Sequence, residues 1–588
     1  MVKTLQKGTW LSKVIGSALA NYGFIFLALA YLVNFSRAAP ELDLPLANPY
    51  AHAHRQTQTA IAIRQYAEDG LTLLHEIPTF GEPWVLPMEF PVYQWVAATL
   101  ARRVDWSIEK VGRVCSLIIL YASIPLLIWL LTSLDRTPQQ ASCIAAMVLL
   151  SPTYQFWGRS VMIESTALFF SIGYVAAALS SLRYDGDRLI RVGILLIALL
   201  CGILAALIKI TTFAVAFGFV VLVVAVKFWK REIDMRQRGV AVGGLVLATV
   251  VSILCGRIWV GYADRVKETG LLTVKSTSAS LHDWNYGTLA LRLTPEYWRR
   301  FWDWGVQEAM PTFQSLQWGP DRWLSALNPL AIVAFVLCVV WFATSERKNI
   351  PIFLAFLLAF ASGPLVFANL YFEHTYYWYA NLWLLIVGIF YVVWDPGVWS
   401  RAYEQLRSDS PHVSIVQRGA TVVMMLIAVG LGLVTAGAWK FHEYSDWQAF
   451  DKLGLEDKNN WLAMRSLSDK LPNDDDRKGV YLYTGSAATP EVPYFIRRRT
   501  LYVRLTAPEM SQGNALRVDE TSSWNRAVTA EAISLQQKGY RIEGIIELFP
   551  KYFVDPQVRR SFMESLSLEE GEEVVKTESF RCALLKKM

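Results

Sequence analysis

Charged residues are scarce in this chain. Asp, Glu, Lys and Arg together make up only 18% of its 588 residues, whereas 54% are hydrophobic and the mean hydropathy is +0.30. This balance excludes a large soluble protein and predicts a polytopic membrane protein. The net charge of +6 is too mild to indicate a nucleic-acid partner. We interpret it as basic loops on the cytoplasmic side of a membrane.

Cysteine is also scarce, and its placement argues against a disulfide framework. Five of the six cysteines fall in apolar segments, and only Cys582 lies in a polar region. The sequence has no Cys-x-x-Cys or His-Glu-x-x-His spacing that would compel a metal site, and no G-x-x-x-x-G-K-[ST] loop for a nucleotide phosphate. No small-residue cleavage site ends the first apolar run, so we expect an uncleaved first span.

Apolar segments of membrane-crossing length recur along the chain, since about 20 residues cross a bilayer as a helix. Lys209, Thr211 and Thr212 interrupt the apolar run 190–228 and favour its division into two helices. By the positive-inside rule, the Lys and Arg of the short loops place the N-terminus inside, and eleven crossings then place the C-terminus outside. The predicted spans are 15–34, 114–133, 140–156, 162–181, 190–208, 211–228, 240–258, 324–343, 351–370, 376–394 and 416–438.

Three polar segments remain on the outer side. The predicted organisation is a transmembrane domain (1–439), which includes outer loops 35–112 and 259–322, followed by a periplasmic α/β domain (440–588). In the first loop, helical periodicity favours two helices along the membrane surface, at 57–69 and 90–104. In the tail we predict strands at 478–485, 542–549 and 580–585 and a helix at 524–538.

Residues able to carry chemistry collect on the outer side, where six of the seven histidines lie. We therefore expect an active site that opens outward. Nucleotide-activated sugars are cytosolic, so a group donor at this face would be carried on a lipid. Arginine suits a lipid phosphate because its planar guanidinium group binds two phosphate oxygens at once. A carboxylate or a histidine would accept the proton of an acceptor hydroxyl.

Two stretches of the first loop carry a family resemblance: His52–Ala60, which reads HAHRQTQTA, and Glu89–Tyr93, which reads EFPVY. They resemble the motifs His-x-Trp-Arg-Gln-x-x-Thr-Ala and Glu-Phe-Pro-Leu-Tyr of the GT-C superfamily of integral membrane glycosyltransferases. The closest likeness is to the family 39-like branch, with the protein O-mannosyltransferases and the lipid A aminoarabinose transferase. His54 replaces the tryptophan. The resemblance implies a GT-C-like fold and a polyprenyl-phosphate sugar donor, such as one on undecaprenyl phosphate.

The resemblance also implies roles for individual residues. His52 stands where relatives tend to have an acid, so the base is left open among Asp43, Glu89 and Glu164, with His52 as the alternative. The residues expected to bind the donor phosphate are Arg55, Arg159, Lys209 and Lys275. Those expected to contact substrate are Gln56, Tyr93, His374, Tyr376 and Tyr377. Each also has a structural explanation, such as a snorkelling cation for Arg55 or an aromatic belt for His374 and Tyr376.

Several assignments stay open in the sequence. Glu89 with His52, His54 or His374 offers ligands for a divalent metal, although no spacing compels one. His282, Trp284 and Trp298 line an acceptor groove or anchor the second loop, and we favour anchoring. Residues 497–499 are three consecutive arginines. We interpret them as a solvated or headgroup-facing surface, with acceptor binding as the alternative.

Together these features predict an inverting glycosyltransferase of the bacterial inner membrane. It would transfer a hexosyl or pentosyl group to lipid A, an O-antigen, another cell-envelope glycan or a protein, with the tail shaping the acceptor site. The competing hypothesis is a transporter or flippase of lipid-linked saccharides, which would place polar residues and broken helices near the midplane. The third hypothesis is a non-catalytic assembly partner, which leaves the first-loop motif unexplained.

Overall fold

The computed structural model describes residues 22–46, 52–232, 235–307, 347–394, 464, 466–485, 491–505, 518–548, 554–576 and 580–588. Within these ranges the chain is mainly helical, and eight helices are long and apolar enough to cross a membrane. The helices of the first part are α1 (Tyr22–Ala38), α2 (Ala53–Asp69), α3 (Val92–Ala101), α4 (Ile108–Ser133), α5 (Pro138–Leu150), α6 (Pro152–Trp157), α7 (Glu164–Arg183), α8 (Arg188–Ile208), α9 (Ile210–Trp229) and α10 (Met235–Lys267).

The outer-loop helices and the later spans follow. They are α11 (His282–Tyr286), α12 (Leu289–Arg292), α13 (Pro295–Arg300), α14 (Ile350–Val366), α15 (Ala368–Glu373) and α16 (Tyr376–Val393). Of the eleven predicted spans, 324–343 and 416–438 lie outside the described residues, as does the part 15–21 of the first span. Eight of the others coincide with a helix over their described residues, and the span 140–156 divides into two helices. The prediction of a polytopic helical membrane protein is confirmed.

One helix is shorter than its predicted span. The segment predicted at 140–156 forms α5, which ends at Leu150, and the six-residue helix α6. The break lies at Ser151, whose ψ of 133° is extended, because the following Pro152 disfavours the helical conformation of the residue before it. At its other end α5 begins with a capping box, in which the Thr137 and Gln140 side chains each bind the other residue's backbone N–H.

The run 190–228 divides at the predicted place. Lys209 ends α8 and precedes α9 with an extended backbone (φ −157°, ψ 92°). The helices of the bundle differ in how much of their surface is buried. In α7 and α16, 89% of the apolar window is buried, whereas in α8 only 22% is buried. The first pair therefore forms the centre of the bundle, and α8 presents most of its surface outward.

Basic helix ends meet at one end of the bundle. Arg183 pairs with Asp135 at 2.9 Å, and Lys230 Nζ donates to the Lys348 carbonyl at 2.7 Å. At the opposite end of α7 and α8, Glu164 meets Lys209. The loops that the positive-inside rule assigns to one side thus share one end of the structure. The orientation of that end in a membrane remains a prediction.

The tail forms a five-stranded mixed sheet with the order β2-β1-β3-β5-β4. Strands β1, β2 and β3 are parallel, and β5 is antiparallel to both β3 and β4. The strands predicted at 478–485, 542–549 and 580–585 and the helix at 524–538 are present, and the other four elements were not predicted. The elements are β1 (Gly479–Thr484), α17 (Glu491–Ile496), β2 (Arg499–Tyr502), α18 (Val518–Gln537), β3 (Arg541–Leu548), α19 (Pro556–Ser565), β4 (Leu568–Lys576) and β5 (Phe580–Lys587).

The sheet is joined to the first outer loop. Thr500 N donates to the Pro78 carbonyl at 2.9 Å, and Phe80 forms an antiparallel bridge with Leu501. The loop therefore covers the β2 edge, which would otherwise expose unpaired backbone groups. One hydrophobic core runs from the sheet into the first loop and includes Tyr481 and Tyr66. The predicted domain boundary near residue 440 lies outside the described residues.

Candidate active site

The first turn of α2 carries the first ion pair of the site. Arg55 pairs with Glu89, and its Nη1 donates to Gln58 Oε1 at 2.7 Å. The Glu89 segment is held from both sides, since Phe90 N donates to the Leu207 carbonyl at 3.2 Å. Trp259 Nε1, on α10, donates to the Met88 carbonyl at 3.1 Å. The first loop is thus fixed against the ends of α8 and α10.

A second ion pair lies deeper. Lys209 Nζ contacts Glu164 Oε1 at 2.7 Å, and the two side chains are only 5% and 3% exposed. The same ammonium lies 3.9 Å from the centre of the Tyr377 ring and 5.1 Å from that of Tyr376. Glu164 Oε2 is buried without a hydrogen-bond partner in the described residues. Ionisable groups buried at this depth are costly, so they commonly mark a functional site.

Two histidines stand beside the ion pairs. The ring centres of His52 and His374 are 5.5 Å apart, and His52 Nε2 lies 3.3 Å from Thr375 Oγ1. Burial lowers the pKa of His52 to about 4. Burial, reinforced by the charge of Lys209, lowers the pKa of His374 to about 3. Both imidazoles are therefore neutral at pH 7, and a neutral imidazole can accept a proton.

These groups form one site, which we call the polar cluster. It consists of His52, Arg55, Glu89, Glu164, Lys209, His374, Tyr376 and Tyr377. The Arg55 charge interacts with both carboxylates and both tyrosines, and Lys209 interacts with Arg55 and Glu89. With two cations, two carboxylates and neutral histidines, the cluster is close to neutral at rest.

Two residues predicted for the site lie elsewhere. Asp43 pairs with Lys110 at 3.0 Å, and its side chain is 70% exposed. Lys275 is exposed and lies over the Trp524 ring at 4.8 Å, where it joins the second loop to the tail. The prediction that these residues share a site with Arg55 is not supported by their positions.

Three further predicted residues are buried and contact partners outside the polar cluster. Arg159 forms a buried ion pair with Glu41. Gln56 Oε1 accepts a hydrogen bond from Val161 N at 3.0 Å, and both groups are buried. Tyr93 OH donates to the Gly112 carbonyl at 2.8 Å and is also buried. Gln56 and Tyr93 therefore use their polar atoms to brace the loop.

Sequence reasoning missed several neighbours of the polar cluster. Trp157 lies 5.7 Å from His52 between ring centres, and no sequence signal singles it out. Trp284, predicted to line an acceptor groove or to anchor the second loop, lies 6.0 Å from His374 between ring centres. Lys267, buried at the end of α10, interacts electrostatically with Glu89. The sequence signal that could have identified Lys267 is its place as a cation in the last turn of a membrane-crossing helix.

The residues suggested as metal ligands do not assemble. In the described part of the chain, no three His, Cys, Asp or Glu side chains come together to hold a metal ion. Glu89 is engaged by Arg55, while His52 and His374 contact each other and Tyr376. The donor set therefore does not fit a bound cation in this arrangement.

No family model matches the chain, and no curated protein matches it in sequence. Among solved structures, the chain is similar to ArnT from Cupriavidus metallidurans bound to undecaprenyl phosphate. The identity is 12%, the TM-score is 0.51, and the alignment covers 96% of this chain and 98% of that one. The apo state of the same protein gives 13% identity, a TM-score of 0.52 and the same coverage. The likeness confirms the GT-C fold that the first-loop resemblance implied.

Proposed function

We propose that this chain is a glycosyltransferase that moves a monosaccharide from a polyprenyl-phosphate donor to a cell-envelope acceptor. The polar cluster carries the proposal: it combines one partly buried and one buried cation–carboxylate pair with two neutral histidines at the end of the bundle opposite the basic loops. ArnT, which is similar in fold, has been solved with undecaprenyl phosphate bound. A lipid phosphate is a ligand of the class that Arg55 and Lys209 suit.

Arg55 and Lys209 would hold the donor phosphate. Arg55 supplies a planar fork of N–H donors for two phosphate oxygens, and Lys209 supplies a point charge between Tyr376 and Tyr377. In the free protein, Glu89 and Glu164 occupy these cations. A phosphate entering from the lipid side therefore replaces one carboxylate contact at each cation. The two cations thus stay paired during the exchange, and the displaced Glu89 carboxylate becomes free to accept a proton.

Two groups are placed to accept the proton of the acceptor hydroxyl. Glu89 is partly accessible, with its side chain 23% exposed, and His52 is neutral with an accessible edge. Glu164 is less suited, because its side chain is 3% exposed and bound to Lys209. We therefore favour Glu89 or His52 as the base. Asp43 is left out of the proposal because it lies with Lys110.

The proposed step is a single displacement. The acceptor oxygen forms a bond to the anomeric carbon while the bond from that carbon to the phosphate oxygen breaks on the opposite face, so the configuration inverts. The hydroxyl proton goes to Glu89 or His52, and the bonding electron pair leaves with the lipid phosphate. Arg55 and Lys209 stabilise the charge that the leaving phosphate gains.

We place the reaction at the outer face of the bacterial inner membrane. The basic loops mark the cytoplasmic end of the bundle under the positive-inside rule, and the polar cluster lies at the other end with the sheet domain. Donors at that face are carried by lipids. The N-terminus would then be cytoplasmic and the sheet domain periplasmic.

Transfer by the purified protein tests the proposal. Radiolabelled polyprenyl-phosphate sugars are incubated with lipid A, O-antigen and peptide acceptors, and labelled product or donor hydrolysis is measured. We expect transfer with one donor and its loss in Arg55→Ala, with Asp43→Asn as a matched control that keeps activity. Absence of transfer and hydrolysis with every donor, together with movement of labelled lipid across vesicles, would establish the flippase instead.

A further inference from the structure

A charged cavity of 290 Å³ lies between the second half of α2 and the sheet domain. Five arginines and four carboxylates line it, and no step of the proposed reaction uses any of them. Its volume is near the lower limit for ligand pockets, about 300 Å³, and suits one charged sugar-sized group. The cavity is walled by two parts of the chain that are more than 400 positions apart, as the 430-residue separation of Arg64 and Tyr494 shows.

Two of the arginines are paired with carboxylates of the first loop. Arg477 donates to Asp69 at 3.0 and 3.2 Å, and Arg499 donates to Glu76 at 2.6 Å. These pairs explain how the sheet domain docks on the loop. They also engage two of the four carboxylates that line the cavity. The other three arginines therefore need a separate explanation.

The other three arginines have no carboxylate partner in the described residues. Arg64 donates to the Tyr494 carbonyl at 3.0 Å, and Arg498 donates to the carbonyls of Arg497 and Pro472 at 3.1 and 2.9 Å. Arg498 Nε is buried without a hydrogen-bond partner. The exposed Arg497 side chain makes no hydrogen bond or ion pair with described residues, although its backbone is held at a φ of 53°.

Unpaired guanidinium groups converging on one cavity indicate an anionic ligand. Each presents a planar set of donors that fits a phosphate or a carboxylate, and Arg498 has a buried N–H ready for one. The nearby Glu68 and Asp474 are less available as competitors. Asp474 binds Arg541 and the Gly479 N–H, and Glu68 faces the charge of Arg477.

The cavity and the polar cluster share one helix. Arg55 and Arg64 both lie on α2, nine residues apart, which is about 14 Å along the helix axis and about two and a half turns, so their side chains leave opposite sides of the helix. A ligand in the cavity would therefore lie at a fixed distance from the reacting centre. The path along and around the helix suits an acceptor whose charged group is separated from its reacting hydroxyl by several sugar units.

We infer that the cavity binds the phosphate or carboxylate of an anionic saccharide acceptor and so positions its hydroxyl at the polar cluster. The inference rests on the proposed function for the role of the ligand as acceptor. The binding itself is independent of that function and is testable without turnover.

The first experiment measures binding of small probes to the full-length protein in detergent by calorimetry. The probes are glucose 1-phosphate, galacturonate, inorganic phosphate and uncharged glucose. We expect the two sugar anions to bind, with affinity reduced at least tenfold in Arg497→Gln and Arg498→Gln. Arg560→Gln removes an exposed arginine of the same domain outside the cavity and serves as the matched control.

The inference would be overturned if both cavity variants bound the sugar anions as tightly as the parent protein. It would also be overturned if inorganic phosphate were the only probe that bound, with the same affinity in the parent and in every variant. Arg497→Gln removes no side-chain hydrogen bond or ion pair within the described residues, so it keeps the test valid if Arg498→Gln fails to fold. The second experiment uses turnover. Arg497→Gln should raise the acceptor KM at least tenfold, with donor hydrolysis in the absence of acceptor unchanged. If no donor supports transfer, the proposed function is wrong. The binding experiment still shows whether the cavity binds a sugar anion.

Discussion

The buried Lys209–Glu164 pair allows a test that separates a structural role from a functional one. The two side chains are 5% and 3% exposed and meet at 2.7 Å. At an effective dielectric of 20 their attraction is about 6 kcal/mol, which offsets a desolvation cost of several kcal/mol for each ion. Replacing one partner leaves the other charge buried and unpaired. We expect Lys209→Met and Glu164→Gln each to lower the free energy of unfolding by about 3–5 kcal/mol.

The double variant Lys209→Met/Glu164→Gln removes both charges and keeps the side-chain volumes close to the originals. Its stability should return to within about 1–2 kcal/mol of the parent, because neither charge remains unpaired. Transfer activity should stay lost, because Lys209 no longer holds the donor phosphate. Stability is followed by tryptophan fluorescence during unfolding in detergent, and activity by sugar transfer from the lipid donor.

The exposed pair Lys110–Asp43 supplies the control. With side chains 29% and 70% exposed, it should contribute less than about 1 kcal/mol, so Asp43→Asn should be nearly silent. Strictly additive effects of Lys209→Met and Glu164→Gln on stability would refute the argument about the buried pair. Full transfer by the stable double variant would refute the role of Lys209 in binding phosphate.

Three further predictions concern the same site. Arg55→Lys keeps the charge but loses the bidentate fork, so transfer should fall by about 10²-fold with little loss of stability. Glu89→Gln removes the carboxylate that competes for Arg55, so polyprenyl phosphate should bind more tightly in a direct binding assay while transfer falls. The folded pKa values of His52 and His374, about 4 and about 3, lie below the unfolded value of about 6.5. The stability from burying these neutral rings is complete above pH ~6.5 and is lost as the pH falls toward 4. Unfolding at pH 4.5 and 7 should show this loss, reduced in His52→Gln.

Hydropathy and short-range chemistry predicted most of the membrane region. The division at Lys209 was readable because a charged residue followed by two threonines interrupts an apolar run. The end of α5 was missed, although Pro152 marks it, since hydropathy continues across the break. The β2 strand and its covered edge were also missed. They depend on contacts such as Thr500 with Pro78, 422 positions apart, which no local periodicity reports.

The site was predictable to the extent that residue type and motif reveal it. Arg55, Glu89, Glu164 and Lys209 were each expected near the outer face, and the structure brings them together. Asp43 was expected there because of its position in the chain. The short helix at 39–41 instead directs Glu41 inward to Arg159 and leaves Asp43 at the surface. The direction of a side chain at a turn depends on backbone angles that composition does not specify.

The charge balance of the polar cluster explains how one site can both accept and release a lipid phosphate. At rest, Glu89 and Glu164 neutralise Arg55 and Lys209, so the buried cations are stable without a substrate. In the proposed displacement the phosphate gains one negative charge as the base gains one proton, so the site as a whole keeps its charge. The cations then hold the doubly charged phosphate more tightly than the donor. Return of the proton to solvent would restore a competing carboxylate if Glu89 is the base, and that carboxylate would help to expel the product.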